Sequence, residues 1–178
     1  MAKPITVFSN THSLVFDKYN LKLAVVLICP NNVSRLWCLI SSDLLFNVLN
    51  ISRQFLSICV SMHGKFLNIA KVYSANDYTA RRSLWKNLSN LQDSWCIIGD
   101  FNTLLASDES KGGSIPNQVS CFLFNSWVNS NKLLDMPITS PFFTWSNGKS
   151  GTHRIEHKLD HAFVTVIVLS SGIIIDFS

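Results

Sequence analysis

At 178 residues the chain has the length of one domain, and 47% apolar against 15% charged residues is too rich in core-forming side chains for a disordered chain. A formal charge of +4 suits contact with a polyanion without requiring one. The longest apolar runs, AVVLIC and FVTVIVL, fall far short of the ~20 residues that span a bilayer, and MAKPITVFSNTHS at the N-terminus has no continuous apolar stretch, so neither membrane insertion nor secretion is expected. Cys29, Cys38, Cys59, Cys96 and Cys121 are odd in number, form no C-x-x-C pair and sit mostly inside apolar runs, which reads as reduced core cysteines of an intracellular protein, nuclear or cytoplasmic.

Taken in chain order, LKLAVVLIC (21–29), RLWCLIS (35–41), LLFNVLNIS (44–52), FLSICVS (55–61) and KFLNIAKVYS (65–74) are short, rich in β-branched and aromatic residues, and separated by polar breaks. They predict consecutive strands. Met62-His63-Gly64 is a tight connection, so the last two should form an antiparallel hairpin. DYTARRSLWKNLSNL (77–91) sets Leu84, Trp85, Leu88 and Leu91 at helical spacing behind an Asp77 or Thr79 cap. WCIIG (95–99) then reads as a central strand. A second helix over 117–131 (NQVSCFLFNSWVNSN) places Val119, Phe122, Leu123, Trp127 and Val128 on one face, and FFTWS (142–146), RIEHKLDHAFVT (154–165) and a β-branched tail follow. This order describes a mixed sheet with helices on its outer faces.

WCIIGDFNTLL (95–105) follows a core strand with residues that suit neither strand nor helix. Gly99 lets the chain leave the strand at an unusual backbone angle, so that Asp100 and Asn102 emerge at its carboxyl end, where open α/β sheets hold ligands. His153, His157 and His161 recur every four residues, which on a helix would make a metal-binding face. The segment is bounded by Gly151 and runs into Ala162-Phe163-Val164, so it reads as a strand, along which His153 and His161 stand about 26 Å apart, too far to share a zinc ion.

VYSAN (72–76), RRSLW (81–85), WCIIGDFN (95–102), SDESKGG (107–113), LLDMP (133–137), FFTWSN (142–147) and RIEHKLDH (154–161), in this order, resemble the endonuclease/exonuclease/phosphatase superfamily. In look they stand nearest to the endonuclease-like domains of plant LINE-type (non-LTR) retrotransposons. The resemblance runs from about Arg35 to Val164 and divides the chain into an unplaced segment 1–34, a partial domain 35–165 and a divergent tail 166–178. It implies a two-sheet α/β sandwich of mainly antiparallel and mixed strands with outer helices, incomplete here. The implied activity is hydrolysis of phosphodiester bonds in DNA with a divalent metal, usually Mg2+, at the crevice between the sheets.

By the same resemblance Asp100 is the candidate general base, and Asp100 with Asn102 is what this chain offers a metal or a phosphate oxygen. Tyr73 matches a tyrosine that contacts the scissile phosphate, Asn76 an asparagine of the same loop that meets substrate, and Asp160 the aspartate that orients a catalytic histidine. Read without the resemblance, Tyr73 is an edge aromatic, Asn76 and Asn102 are turn residues, and Asp160 is a strand-end acid paired with Lys158 or Arg154. Trp85, Trp95, Trp127 and Trp145 match core or strand positions and are expected to pack rather than to stack on bases.

Active relatives carry an asparagine on the first strand, a metal-binding glutamate on the next, and a terminal Ser-Asp-His. This chain has only two glutamates, Glu109 and Glu156, both downstream of Asp100, and its last acid, Asp176, is followed by Phe177 and Ser178. Three functions follow as expectations: a magnesium-dependent phosphodiesterase acting on DNA, a non-catalytic remnant of one, or a basic nucleic-acid-binding module.

Overall fold

The computed structural model describes residues 21–28, 34–62, 64–139, 141–173 and 175; Cys29, His63 and Asp176 lie outside them. The main sheet has six strands in the order β3-β4-β5-β6-β11-β8: β3 Leu45–Ile51, β4 Phe55–Met62, β5 Lys65–Tyr73, β6 Trp95–Asp100, β8 Leu133–Asp135 and β11 Asp160–Thr165. A hairpin of β1 Leu21–Ile28 and β2 Ser34–Ser41 forms a second sheet, and β7 Ser110–Lys111, β9 Trp145–Ser146 and β10 Glu156–His157 form a small third one. Three helices complete the chain: α1 Tyr78–Asn87, α2 Gln118–Ser130 and α3 Val166–Ser170.

The predicted hairpin is present, with Met62 opposite Lys65 and Gly64 at φ 76° in the turn. After β5 the chain crosses over through α1 and returns as β6, parallel to β5, and β11 then pairs antiparallel on the other side of β6. WCIIGD is thus the inner strand that joins the parallel and antiparallel parts of the sheet. Helix α1 starts where the Asp77 carboxylate accepts the Ala80 N–H at 2.8 Å, and α2 starts with the Asn117 side chain accepting from Ser120 N at 3.0 Å.

Side chains alternate between the two faces of the sheet, so each face has its own core. On the helix face, Phe55, Val72, Ile97, Phe101 and Phe163 meet Leu84, Trp85 and Leu88 of the α1 region and Phe124 and Trp127 of α2. Trp85, Phe124 and Trp127 stack with ring centroids 4.8 to 6.0 Å apart, and the Trp127 indole N–H donates to Leu88 O at 2.6 Å. On the opposite face Ile40 of β2 covers Leu56, Ile58 and Val60, while Val168 of α3 covers Leu67, Cys96 and Val164. Sheet, helices and hairpin therefore form the layered α/β sandwich expected.

Three local readings differ from the structure. Helix α2 buries Ser120, Phe124, Trp127 and Val128, whereas Val119 and Phe122 are 55% and 70% exposed. The helix is turned by a polar joint: the Ser120 hydroxyl meets the Arg81 guanidinium and Thr103 Oγ1 in the interior. Residues 154–165 are not one strand, because the chain leaves the small sheet after His157 and enters the main sheet at Asp160. The crossing is held by Lys158 N donating to Glu109 O and Phe101 N donating to Leu159 O. The β-branched tail begins as a short helix, α3, because β11 ends at Thr165 beside Leu133, where the ladder with β8 stops and offers no further partner.

Among the described residues no helix is long and apolar enough to cross a membrane. Cys38, Cys59, Cys96 and Cys121 are free thiols.

Candidate functional site

The site is built where β5, β6 and β11 end together. Gly99 has φ 146°, and a Cβ there would meet Val72 O at 2.0 Å, so only glycine lets β6 lie this close to β5. One residue on, Asp100 stands opposite Tyr73 of β5 and opposite Asp160 of β11. Residues paired across strands project from the same face, so Tyr73, Asp100 and Asp160 form one row on the face opposite the helices. Phe101 then turns into the helix-face core, fully buried.

Asn102 follows in the left-handed region, φ 48°, a conformation that asparagine tolerates better than most residues. Its backbone N–H donates to Asp100 Oδ1 at 2.8 Å and its side-chain Nδ2 donates to Ser74 O at 2.8 Å. Ser74 answers, its N–H donating to Asp100 O and its hydroxyl to Phe101 O. The GDFN loop and the loop after Tyr73 are thereby locked to each other, and the Asn102 amide N–H2 is committed to the backbone.

Burial pushes the Asp100 carboxyl up to about 6; the Asn102 N–H opposes the rise, the Asp160 carboxylate adds to it, and the cations Lys71 and Arg81 oppose it. Lys71 stands two residues before Tyr73 on the same strand face, so its charge belongs to the same crevice, a residue the sequence reading passed over although its period-2 spacing from Tyr73 was legible. Arg81 is buried, its Nη1 donating to Ala75 O at 2.7 Å and Asn76 O at 2.8 Å, so it braces the loop that carries Asn76. Burial draws its pKa below the ordinary arginine value despite the Asp77, Cys121 and Asp100 charges.

Asn76 is exposed and lines a cleft of about 640 Å³ together with Arg81, Asn102, Asn117 and His157. Tyr73, Asp100 and Asp160 do not line that cleft; they open on the face where the β1–β2 hairpin packs. Five sequence-derived positions thus divide into a row of three and a flanking cleft with two, and the Asn102 backbone joins them. The tryptophans behave as packing residues: Trp85 and Trp127 are buried, and Trp145 stacks on His157 with centroids 5.4 Å apart.

Asp160 pairs with neither of the cations suggested for it. Arg154 Nη2 bonds Glu156 at 2.6 Å, and Lys158 Nζ lies 2.9 Å from Asp135 and 3.2 Å from Glu109. On the helix face, one residue after Asp160, the buried His161 completes a cluster with the buried Glu109, the exposed Asp135 and the part-buried Lys158. Sequence reading missed this cluster because its members come from three separated segments.

No protein-family model matches the sequence, and no curated protein matches it. Among solved structures the chain is similar to the endonuclease domain of TRAS1, a telomere-specific non-LTR retrotransposon, with a TM-score of 0.64 and 11% identity, covering 85% of this chain and 69% of that one. It is also similar to NExo, a 3′ phosphatase from Neisseria bound to product DNA hairpin, with a TM-score of 0.55 and 12% identity, covering 88% of this chain and 71% of that one. At these identities the likeness is one of fold, and the fold is that of the endonuclease/exonuclease/phosphatase proteins.

Proposed function

We propose that this chain is an endonuclease/exonuclease/phosphatase-like domain of retroelement origin whose lineage hydrolyses phosphodiester bonds in DNA, and that its own catalysis is impaired. The observation that carries the reading is the row Tyr73–Asp100–Asp160, set side by side on three adjacent strands with Asn102 locked at its end. A phosphate entering the crevice would meet a phenol, a carboxylate with a pKa of about 6, and a second carboxylate. An acid titrating near 6 is mostly ionised at neutral pH and still basic enough to take a proton from water.

The residues fit Mg2+ poorly. Magnesium is usually bound through one or two carboxylates together with waters and substrate phosphates. Here burial penalises the Asp100 charge and raises its proton affinity, one of its oxygens already accepts the Asn102 N–H, and no glutamate other than Glu109 and Glu156 exists in the chain. Glu156 pairs with Arg154, and Glu109 lies in the cluster on the other face of the sheet.

Removing one preorganised electrostatic group lowers turnover on the order of 100- to 1,000-fold. Two groups expected from the resemblance, the metal glutamate and the terminal histidine, have no counterpart among these 178 residues; their effects need not add, but each is severe. The purified chain should show little or no nicking of supercoiled plasmid with Mg2+. Robust nicking that is abolished both by chelator and by Asp100→Ala would establish an active enzyme and overturn the impairment. Nicking that persists in Asp100→Ala would mark a contaminating nuclease.

A further inference from the structure

We propose that Glu109, Asp135 and His161 form a binding site for a borderline divalent transition-metal ion, zinc foremost, in which the Lys158 ammonium holds the cation position when no metal is bound. The site lies on the helix face of the sheet, so it does not depend on the function proposed for the Asp100 row.

His161 is fully buried, and neither of its ring nitrogens has a hydrogen-bond partner among the described residues. Both face carboxylates instead: Nε2 lies 3.7 Å from Glu109 Oε2 and Nδ1 lies 3.5 Å from Asp135 Oδ1. A histidine that served only to fill the core would have those nitrogens satisfied, since buried polar groups are nearly always bonded. The rest of its surroundings is apolar, with Phe163 stacked at 5.4 Å and Phe101 and Phe124 edge-on at 5.9 and 5.5 Å. The ring is therefore held in place with both nitrogens turned toward acids but hydrogen-bonded to neither.

One ligand atom from each of Glu109, Asp135 and His161 lies within 4.8 Å of the other two. Around tetrahedral zinc, with bonds of about 2.0 to 2.2 Å, such atoms stand about 3.4 Å apart, so binding requires the side chains to close by up to about 1.4 Å. A mixed nitrogen and oxygen set suits zinc, and an imidazole disfavours magnesium and calcium, which prefer oxygen alone. The ion takes one ring nitrogen, and the other nitrogen is left to donate to the nearer carboxylate.

Charge supports the exchange. Lys158 Nζ lies 3.2 Å from Glu109 Oε1 and 2.9 Å from Asp135 Oδ2, neutralising one of two negative charges. With the ammonium withdrawn, the two carboxylates carry the two charges that a divalent ion matches. Lys158 has a way out, because its Nζ already lies 5.8 Å from the exposed Phe142 ring. Asp135, with its side chain 31% exposed, gives the ion a way in.

The test uses the full chain with Zn2+ in calorimetry and Co2+ in absorption spectroscopy. One zinc per chain is expected, with a Co2+ spectrum that lacks the near-ultraviolet charge-transfer band of thiolate ligands. His161→Gln should weaken binding by at least about tenfold, and Lys158→Met should strengthen it by about tenfold, the competing charge being gone. Circular dichroism and a thermal melt verify folding; if His161→Gln does not fold, Asp135→Asn, at a partly exposed position, should show the same loss. The proposal is overturned if neither the natural chain nor Lys158→Met binds zinc, if binding survives both ligand substitutions, or if a thiolate band assigns the ion to cysteine.

Discussion

Asp100 and Gly99 act on stability in ways that can be separated. The ordinary carboxyl pKa of 3.8 describes Asp100 in the unfolded chain, and burial pushes it to about 6 in the folded one. Between those values the folded state binds the proton more readily, so this group makes stability fall as pH rises through that window, and its full penalty applies above about 6. Asp100→Asn retains an acceptor for the Asn102 N–H and removes the charge. It should therefore be more stable than the natural chain at pH 7 by about 1–2 kcal/mol, allowing for partial solvent exposure of the site, and the difference should vanish by about pH 4. Urea titrations at the two pH values measure it, and a pH-independent difference would mean that burial of the charge is not the cause. Gly99→Ala acts differently, since its Cβ would collide with Val72 O at 2.0 Å and the φ of 146° is strained for any side chain. A loss of about 2–5 kcal/mol at every pH is expected in the same titrations.

At the scale of elements, the sequence was legible wherever period and packing agree. Leu84, Trp85 and Leu88 are buried as their spacing predicts, and Asp77 caps α1. Helix α2 was misread because apolar periodicity alone decided it. Val119 and Phe122 look like core, yet the buried position is Ser120, chosen by its bond to Arg81 rather than by hydropathy. The small sheet was legible only in part: β9 and β10 fall inside the strand-like runs 142–146 and 154–165, but strands of two residues carry too short a periodic signal to set their bounds or to reveal β7. The resemblance named Tyr73, Asp100, Asn102 and Asp160 from three separate segments, and the sheet sets Tyr73, Asp100 and Asp160 in one row, while the cluster at His161 depends on contacts between distant segments that no motif carries. The Arg81 joint yields a prediction of its own. Arg81→Leu leaves Ala75 O, Asn76 O and the Ser120 hydroxyl without their charged donor, and should destabilise the chain by about 2–4 kcal/mol. It should also loosen Asn76, seen as faster amide exchange in 75–78; unchanged exchange there would show that the loop is held by other contacts.

At the scale of the molecule, the main sheet needs both of its faces covered, and the tail contributes to one of them. Residues 166–178 lie beyond the segments that carry the resemblance, yet Val168 is buried against Leu67, Cys96 and Val164, and Ile173 and Ile175 pack on the same cluster. Burying a Val or Ile side chain fully contributes about 1.5–3 kcal/mol, and these isoleucines are only half-buried, so the tail as a whole should contribute about 3–5 kcal/mol. Cys96 reports on that cover directly. Burial pushes its thiol up to about 11, despite the nearby Lys71 charge, which leaves almost no thiolate at neutral pH, and the thiolate is the reactive form. A chain ended at Thr165 should melt earlier and should expose a thiol that reacts with a disulfide reagent much faster than in the full chain. The same comparison in a Cys96→Ser background assigns the change, because any acceleration that remains there belongs to the other cysteines. If truncation leaves both the melt and the Cys96 reactivity unchanged, the opposite face of the sheet is sealed by the β1–β2 hairpin alone, and the tail does not belong to the folded unit.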